Sequence, residues 1–216
     1  MSAAATVAPS DGNTFWRTLF GDDVPVEIEI GSGDGTFLLG RAVAAPRRNL
    51  LGIERSPRKA KRLAARLVRL GVGHVRTLQA DASYVLALVP MASVRAYHVY
   101  FPDPWPKRRH GRRRIFSAPF VHALAQSLVD GGELYVATDV AAYMARIRTS
   151  IVDSGAFAER SAGDDHPGLD TAFARKYRAE GRALLLARFA RVPRRATRPG
   201  GAQPDRDAAA SKIRSS

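Results

Sequence analysis

Val24-Pro25-Val26-Glu27-Ile28-Glu29-Ile30-Gly31-Ser32-Gly33-Asp34-Gly35 carries a strand into a helix. The apolar run from Val24 to Ile30 has strand length. Three alternate glycines follow it, and Thr36 to Ala44 then takes up a helical period. A strand that passes through a tight turn into a helix is the first half of a βαβ unit. The alternation recurs downstream. Asn49 to Ile53 forms a second strand ending in Glu54. Ser56 caps and Pro57 starts a helix to about Leu70, with Ala60, Leu63, Ala64, Leu67 and Leu70 on one face, and Gly71 and Gly73 stop it. A third strand, His74 to Leu78, leads to Asp81, and a fourth, Val94 to Phe101, leads into Pro102 to Pro106. A helix from Ala118 to Leu128 and the Gly131-Gly132 turn precede a fifth strand, Glu133 to Ala137, which leads to Asp139. A helix from about Ala141 to Ser154 follows. Phe157 to Glu159 and Ala183 to Val192 suit an antiparallel hairpin at one sheet edge, with Gly163 to Arg182 as a long excursion between them. The pattern predicts an α/β fold: a doubly wound, mostly parallel sheet with an antiparallel edge hairpin and ligands outside the C-terminal strand ends.

Length and composition bound the rest. A chain of 216 residues makes one α/β domain with a full core, expected over residues 14–192. Residues 1–13, rich in Ala and lacking periodicity, and residues 193–216, rich in Arg, Pro, Gly and Ala, are expected to be disordered. The tail is a basic arm or a solubilising extension. With 34 Lys and Arg against 20 Asp and Glu, the net charge of +14 points to a polyanionic partner. The absence of cysteine excludes disulfide frameworks, thiolate metal sites and cysteine nucleophiles. No signal peptide and no apolar run of membrane-spanning length occur, so a soluble, cytoplasmic chain with no membrane partner is expected.

The acids around the glycine turn define a cofactor site. Gly31 and Gly33 let a ligand lie against the backbone, and Glu54, at the end of the second strand, is placed to accept from two ribose hydroxyls. Asp81, closing the third strand, adds an acceptor near a nucleoside base. Glu29 on its strand, between Ile28 and Ile30, needs a partner, and an amino group of a ligand serves. Dinucleotide binders usually read Gly-x-Gly-x-x-Gly and aim a helix at a pyrophosphate. Here position 36 is Thr, and Glu29 and Asp34 flank the glycines, which repels phosphate and suits a cofactor with an amino group and a sulfonium. S-adenosylmethionine fits better than a nicotinamide cofactor.

Phe101-Pro102-Asp103-Pro104-Trp105-Pro106-Lys107-Arg108-Arg109-His110, followed by Arg112-Arg113-Arg114, closely resembles the signature of the bacterial tRNA (guanine-N7)-methyltransferases. The resemblance extends to Glu29-Ile30-Gly31, Gly52-Ile53-Glu54, Asp81-Ala82 and Ala137-Thr138-Asp139, covering roughly residues 26–182. It implies a Rossmann-like class I fold and methyl transfer from S-adenosylmethionine to N7 of a guanine in the tRNA variable loop, by a monomer or a homodimer. By resemblance, Glu29, Glu54, Asp81 and Asp103 contact the cofactor or line its pocket, Asp103 is also the active-site residue, and Lys107 and Asp139 contact tRNA. Asp170-Thr171-Ala172-Phe173-Ala174 resembles the late family element that approaches the target nucleotide, so Thr171, Phe173 and Ala174 join the substrate-binding set. Ala174 stands where the family usually has Glu, and the contact that carboxylate makes is missing here.

The chemistry agrees with the residues. Guanine N7 carries an in-plane lone pair and no proton, so methylation requires no general base, and positioning and charge supply the rate. Prolines 102, 104 and 106 stiffen the loop around Asp103. That carboxylate either accepts from the guanine's N1–H and exocyclic amine or holds the cofactor. Trp105 either stacks on a base or packs as core. Lys107 to Arg114 holds six basic residues and no acid, dense enough to grip several phosphates. His98 is a core histidine and His110 a substrate contact, with no metal-ligand spacing, so no metal is expected. Alternatives are methylation of another RNA base and a catalytically lapsed RNA binder.

Overall fold

The computed structural model describes residues 12–105, 109, 114–163 and 166–194. Its seven strands are β1 (Val26–Ile30), β2 (Asn49–Glu54), β3 (Val75–Gln79), β4 (Val94–Tyr100), β5 (Leu128–Thr138), β6 (Phe157–Arg160) and β7 (Leu185–Arg191). They form one sheet in the order β3-β2-β1-β4-β5-β7-β6. The first five strands are parallel, and β7 runs antiparallel to both β5 and β6. The edge hairpin expected from the late apolar stretches is therefore present, with its second strand turned inward against β5. The helices are α1 (Gly12–Phe20), α2 (Thr36–Ala44), α3 (Pro57–Leu70), α4 (Ala82–Leu86), α5 (Ala118–Ser127), α6 (Ala141–Val152) and α7 (Ala172–Ala179).

Parallel strands are covered on both faces, and β1 shows it: all five of its residues are buried. Ile28 and Ile30 face a large cluster built with Tyr97, Val99, Leu124 of α5 and Ile147 of α6. On the opposite face Leu38 of α2 meets Leu50, Leu63 and Leu67. The strand order reverses between β1 and β4, and a crevice opens at their C-terminal ends. The glycine turn leaves β1 there, and the Asp103 loop leaves β4 beside it.

Four features depart from the sequence reading. α1 begins at Gly12, within the stretch expected to lack structure, and buries Trp16 in the main cluster. α4 is a short helix capped by Asp81. β5 starts at Leu128 rather than after the glycines: its register against β4 jumps from Val94↔Leu128 to Ala96↔Glu133, and Gly131 sits in the bulge at φ +71°. The long excursion is structured, by a 3-10 turn at Pro167–Asp170 and by α7. At the start of the basic tail, Arg194 donates to Asp130 and to the carbonyls of Gln126 and Leu128, both at 2.7 Å.

The face of β1 and β4 opposite the main cluster holds a polar row. Glu27 takes a two-point contact from Arg41 at 2.8 and 2.9 Å and accepts from His98 Nε2 at 3.0 Å. His98 Nδ1 lies 2.7 Å from the Tyr100 hydroxyl, and Tyr135 stacks on the imidazole. Burial raises the Glu27 carboxyl, but the bonds and charges of His98 and Arg41 overcome it and hold the pKa down at about 2. Burial lowers the His98 pKa against the pull of Glu27, so the ring is neutral, donating from Nε2 and accepting at Nδ1.

Removing the charge from one member of a buried ion pair costs about 3–5 kcal/mol, because the other is left without compensation. Glu27→Gln is expected to lower unfolding stability by about that much in a urea titration at pH 7. The wild-type carboxylate contributes fully above the usual carboxylate range, and its contribution is lost as pH falls toward 2. The variant lacks that acid-dependent limb.

Candidate active site

The turn after β1 is held from below and open above. Gly31 and Ser32 donate their N–H groups to the Ile53 carbonyl of β2, at 2.8 and 3.2 Å. Gly31 and Gly33 adopt φ +81° and +57°, a region that glycine enters without strain. A Cβ built on Gly31 meets nothing within 4 Å, so the backbone there faces open space. Gly52 is different: its Cβ would fall 2.4 Å from Leu38 and 2.8 Å from Ser32 Oγ, so β2 runs too close to the turn for any side chain.

Four acids surround this turn. Glu54 accepts from Gly33 N–H at 2.9 Å and from Ser56 N–H at 2.7 Å, which ties the turn to the end of β2 and leaves lone pairs for further donors. Asp34 accepts from the backbone and hydroxyl of Thr36. Partial burial pushes its pKa up, but those bonds and the Arg66 charge leave it lowered. Asp81, besides closing β3, accepts from Ser83 N–H at 2.9 Å as the cap of α4.

Glu29 is the exception. It is 5% exposed, and its Oε2 is buried without a hydrogen-bond partner among the described residues. Burial raises its pKa well above the ordinary value, and the charges of Asp34 and Glu54 push the same way. Beside it, Ser32 Oγ is also buried and unpartnered. A buried polar atom left unmade costs about 1–3 kcal/mol, so these two atoms await a donor. A cofactor with an ammonium group and a ribose fits these groups: the cation would neutralise Glu29, and Glu54 would take the hydroxyls.

The second wall is the loop after β4. Phe101 donates its N–H to the Ala137 carbonyl at 2.7 Å and turns the chain with φ +49°; Trp105 has φ +39°. Each such non-glycine residue costs of order 1 kcal/mol or more and needs surroundings that enforce it. Arg114 does so, donating to the Trp105 carbonyl at 2.8 and 3.2 Å and to the Pro104 carbonyl at 3.2 Å. Asp103 lies between, exposed, with no hydrogen bond or ion pair among the described residues. Trp105 is half-buried. Lys107 and His110 lie outside the described residues.

The expected substrate residues gather at the far side of the loop. Phe173 is 50% exposed, and its ring contacts Phe101 and Tyr177, each at 5.8 Å between centroids. Tyr177 carries the Arg182 guanidinium at 3.9 Å over its ring, and Arg182 pairs with Asp139. α7 is thus fastened to the Asp103 loop by aromatic rings and to the end of β5 by an ion pair. Thr171 is buried and caps α7, accepting from Ala174 N–H at 3.0 Å. Ala174 is fully buried and presents no polar group. The sequence reading placed His98 in the core, as found, but missed Arg182 and the partners of His98, Glu27 and Tyr100. The latter's signal was present, since Glu27 with Glu29, and His98 with Tyr100, share a strand face at period two.

The comparisons with known proteins agree with this geometry. A methyltransferase family model matches residues 23–184, a span that holds every candidate site residue from Glu29 to Ala174. The tRNA (guanine-N(7)-)-methyltransferase of Nitrobacter hamburgensis is 36% identical over 181 residues, 81% of this chain and 71% of its own length. That of Chlorobium phaeobacteroides is 35% identical over 153 residues, 70% and 74% of the two chains. This chain belongs to the tRNA (guanine-N(7)-)-methyltransferase family. The fold is shared more widely: the 16S rRNA methyltransferase KamB superposes with a TM-score of 0.60 over 88% of this chain and 99% of that one, at 16% identity. Among the described residues no cluster of metal-ligating side chains occurs, and no helix is long and apolar enough to cross a membrane.

For this family member, Glu29→Gln is expected to stabilise the ligand-free chain by about 1 kcal/mol or more, raising Tm by about 2–4 °C. Between the ordinary carboxylate range and the raised pKa, only the native state holds the Glu29 proton, so wild-type stability falls as pH rises. The gain in Tm therefore grows in a thermal melt as pH rises above the ordinary carboxylate range. The same variant loses affinity for S-adenosylmethionine, read by calorimetry, because the ammonium has lost its anion.

Proposed function

We propose that this chain, working in the cytoplasm, methylates N7 of a guanine in the tRNA variable loop at the expense of S-adenosylmethionine, forming 7-methylguanosine. The observation that carries the reading is the pairing of two features at the reversal point of the sheet. One is an unpartnered buried carboxylate, Glu29, beside a glycine turn; the other is a rigid, solvent-facing Asp103 on the next strand. Glu29 and Ser32 receive the amino-acid end of the cofactor, Glu54 the ribose, and Asp81 the base. When bound, S-adenosylmethionine supplies an electrophilic methyl group on a positively charged sulfur.

The rest is done by the chain. Asp103 accepts from the guanine's N1–H and exocyclic amine, which orients the base in its plane and turns N7 away from the carboxylate. The same negative charge stabilises the positive charge that guanine acquires as N7 takes the methyl group. No side chain removes a proton, because N7 carries none. Arg114, by holding the Pro104 and Trp105 carbonyls, keeps the Asp103 loop in place before substrate arrives. Asp139 and Phe173 border the space on the substrate side, and the +14 charge gathers tRNA from solution.

A lapsed RNA binder is the second reading, favoured by Ala174, which buries a methyl group where relatives carry a carboxylate. Labelled S-adenosylmethionine and unmodified tRNA transcript separate the two. A single borohydride–aniline cut in the variable loop is expected; incorporation without that cut moves the target atom, and no incorporation with cofactor binding intact supports the lapsed reading. Asp103→Ala is expected to lower kcat by roughly 100- to 1000-fold. Because Asp103 is exposed and unpaired, Tm should stay unchanged, and a fully active Asp103→Ala enzyme overturns the site.

A further inference from the structure

On the outer side of the Asp103 loop, a cavity of about 230 Å³ opens between Arg114 and the helices α5 and α6. Its walls are Arg114, Phe116 and Ser117, which lead into α5, and Tyr143, Arg146 and Ile147 on one face of α6. The polar groups are unusual for a gap between helices. Arg146 is exposed and has no hydrogen bond or ion pair among the described residues. Arg114 gives Nε and one amino group to carbonyl oxygens, and no carboxylate among the described residues pairs with it. Ser117 occupies the cap position of α5, yet its hydroxyl makes no capping bond. Tyr143 is 4% exposed, and its buried O–H finds no acceptor among the described residues.

A buried phenol whose O–H lacks an acceptor, at the wall of a cavity with two guanidiniums that no described carboxylate pairs, calls for an anion with several acceptor oxygens. The volume selects which. Pockets for whole small molecules begin at about 300 Å³. This one is smaller, and it suits a phosphate group with its waters rather than a nucleotide.

We propose that this cavity is a seat for one backbone phosphate of the RNA substrate, with Arg114 and Arg146 supplying charge and the Ser117 and Tyr143 hydroxyls donating to its oxygens. The assignment rests on the RNA-methylating reading above and adds an anchor outside the base-binding crevice. Its position is informative. Burial raises the Tyr143 pKa to about 12, with the Ile115 backbone N–H and the Arg114 charge opposing and Asp103 adding to the shift. The phenol therefore remains a donor at neutral pH, and the seat lies within electrostatic reach of Asp103. A phosphate held there belongs to the stretch of strand entering the site, and Arg114, through its bonds to the loop, links its capture to the placement of Asp103.

The full-length chain is tested with unmodified tRNA transcript, measuring affinity across a salt series, KM for tRNA, and S-adenosylmethionine affinity. Arg146→Ala is expected to weaken tRNA binding by about tenfold and to reduce the slope of log affinity against log salt by about 1, the signature of one lost phosphate contact. Tyr143→Phe keeps the packed ring and should weaken binding about threefold, with cofactor affinity unchanged. Arg160→Ala, which removes an exposed charge from the edge strand β6, keeps the wild-type slope. Wild-type affinity and slope in both cavity variants overturn the seat. So does an equal loss in Arg160→Ala, which marks diffuse attraction. If the wild type methylates another RNA, the tRNA reading alone falls and the seat is judged on that RNA by the same variants. If it binds no RNA, both fall.

Discussion

β1 is buried along its whole length and still carries two carboxylates, and the rest of the site depends on how each is treated. Glu27 is fully answered: a guanidinium, an imidazole and, behind them, a phenol satisfy it from the neighbouring elements. Glu29, two residues on and on the same strand face, is left with one buried oxygen unmatched. The first arrangement locks α2 to β4 and gives the crevice a rigid floor. The second leaves that floor with an unmet demand for positive charge. On the proposed reading, occupation of the crevice by the cofactor would remove this cost and couple binding to stability through one side chain.

The neighbouring loop reaches rigidity by another route. Proline restricts the backbone at positions 102 and 104, while Phe101 and Trp105 accept left-handed conformations that side chains ordinarily avoid. Arg114 holds the resulting carbonyls from one side, and the Phe101–Phe173–Tyr177 rings hold the loop from the other. Asp103 is therefore fixed through its backbone while its carboxylate remains exposed. That is the condition the proposed role requires, a charge already in position when the substrate's own charge changes.

Charge is divided accordingly. Acids cluster at the C-terminal ends of β1, β2 and β3, where a cationic cofactor group is to be held, while the surplus of 14 positive charges lies elsewhere on the chain. The two guanidiniums at the α5–α6 cavity belong to that surplus but differ from the solvated arginines of α3, since a buried hydroxyl stands with them. Composition alone treats all of these cations alike.

Much of this was legible in the sequence, because it follows from local rules. The glycines after Ile30, the Ser56-Pro57 helix start and the alternation of strand and helix are near-neighbour signals, and the parallel sheet with its edge hairpin follows from them. The Phe101 to Trp105 signature located the loop, and family membership then stood on the extended match. What depends on contacts far apart in the chain was decided by tertiary structure alone. The order of the strands sets Glu29 level with His98, yet the imidazole bonds Glu27 and leaves Glu29 Oε2 without a partner among the described residues. Arg182 meets Asp139 across a gap in sequence that no periodicity spans, and α7 stands where the sequence showed only a long excursion. Tyr143 reads as one more apolar position on the face of α6, and only the packing of α6 against α5 reveals that its O–H has no acceptor among the described residues. A pattern of residue types specifies which face of an element turns inward; whether a buried polar atom finds its match is a property of the assembled neighbours.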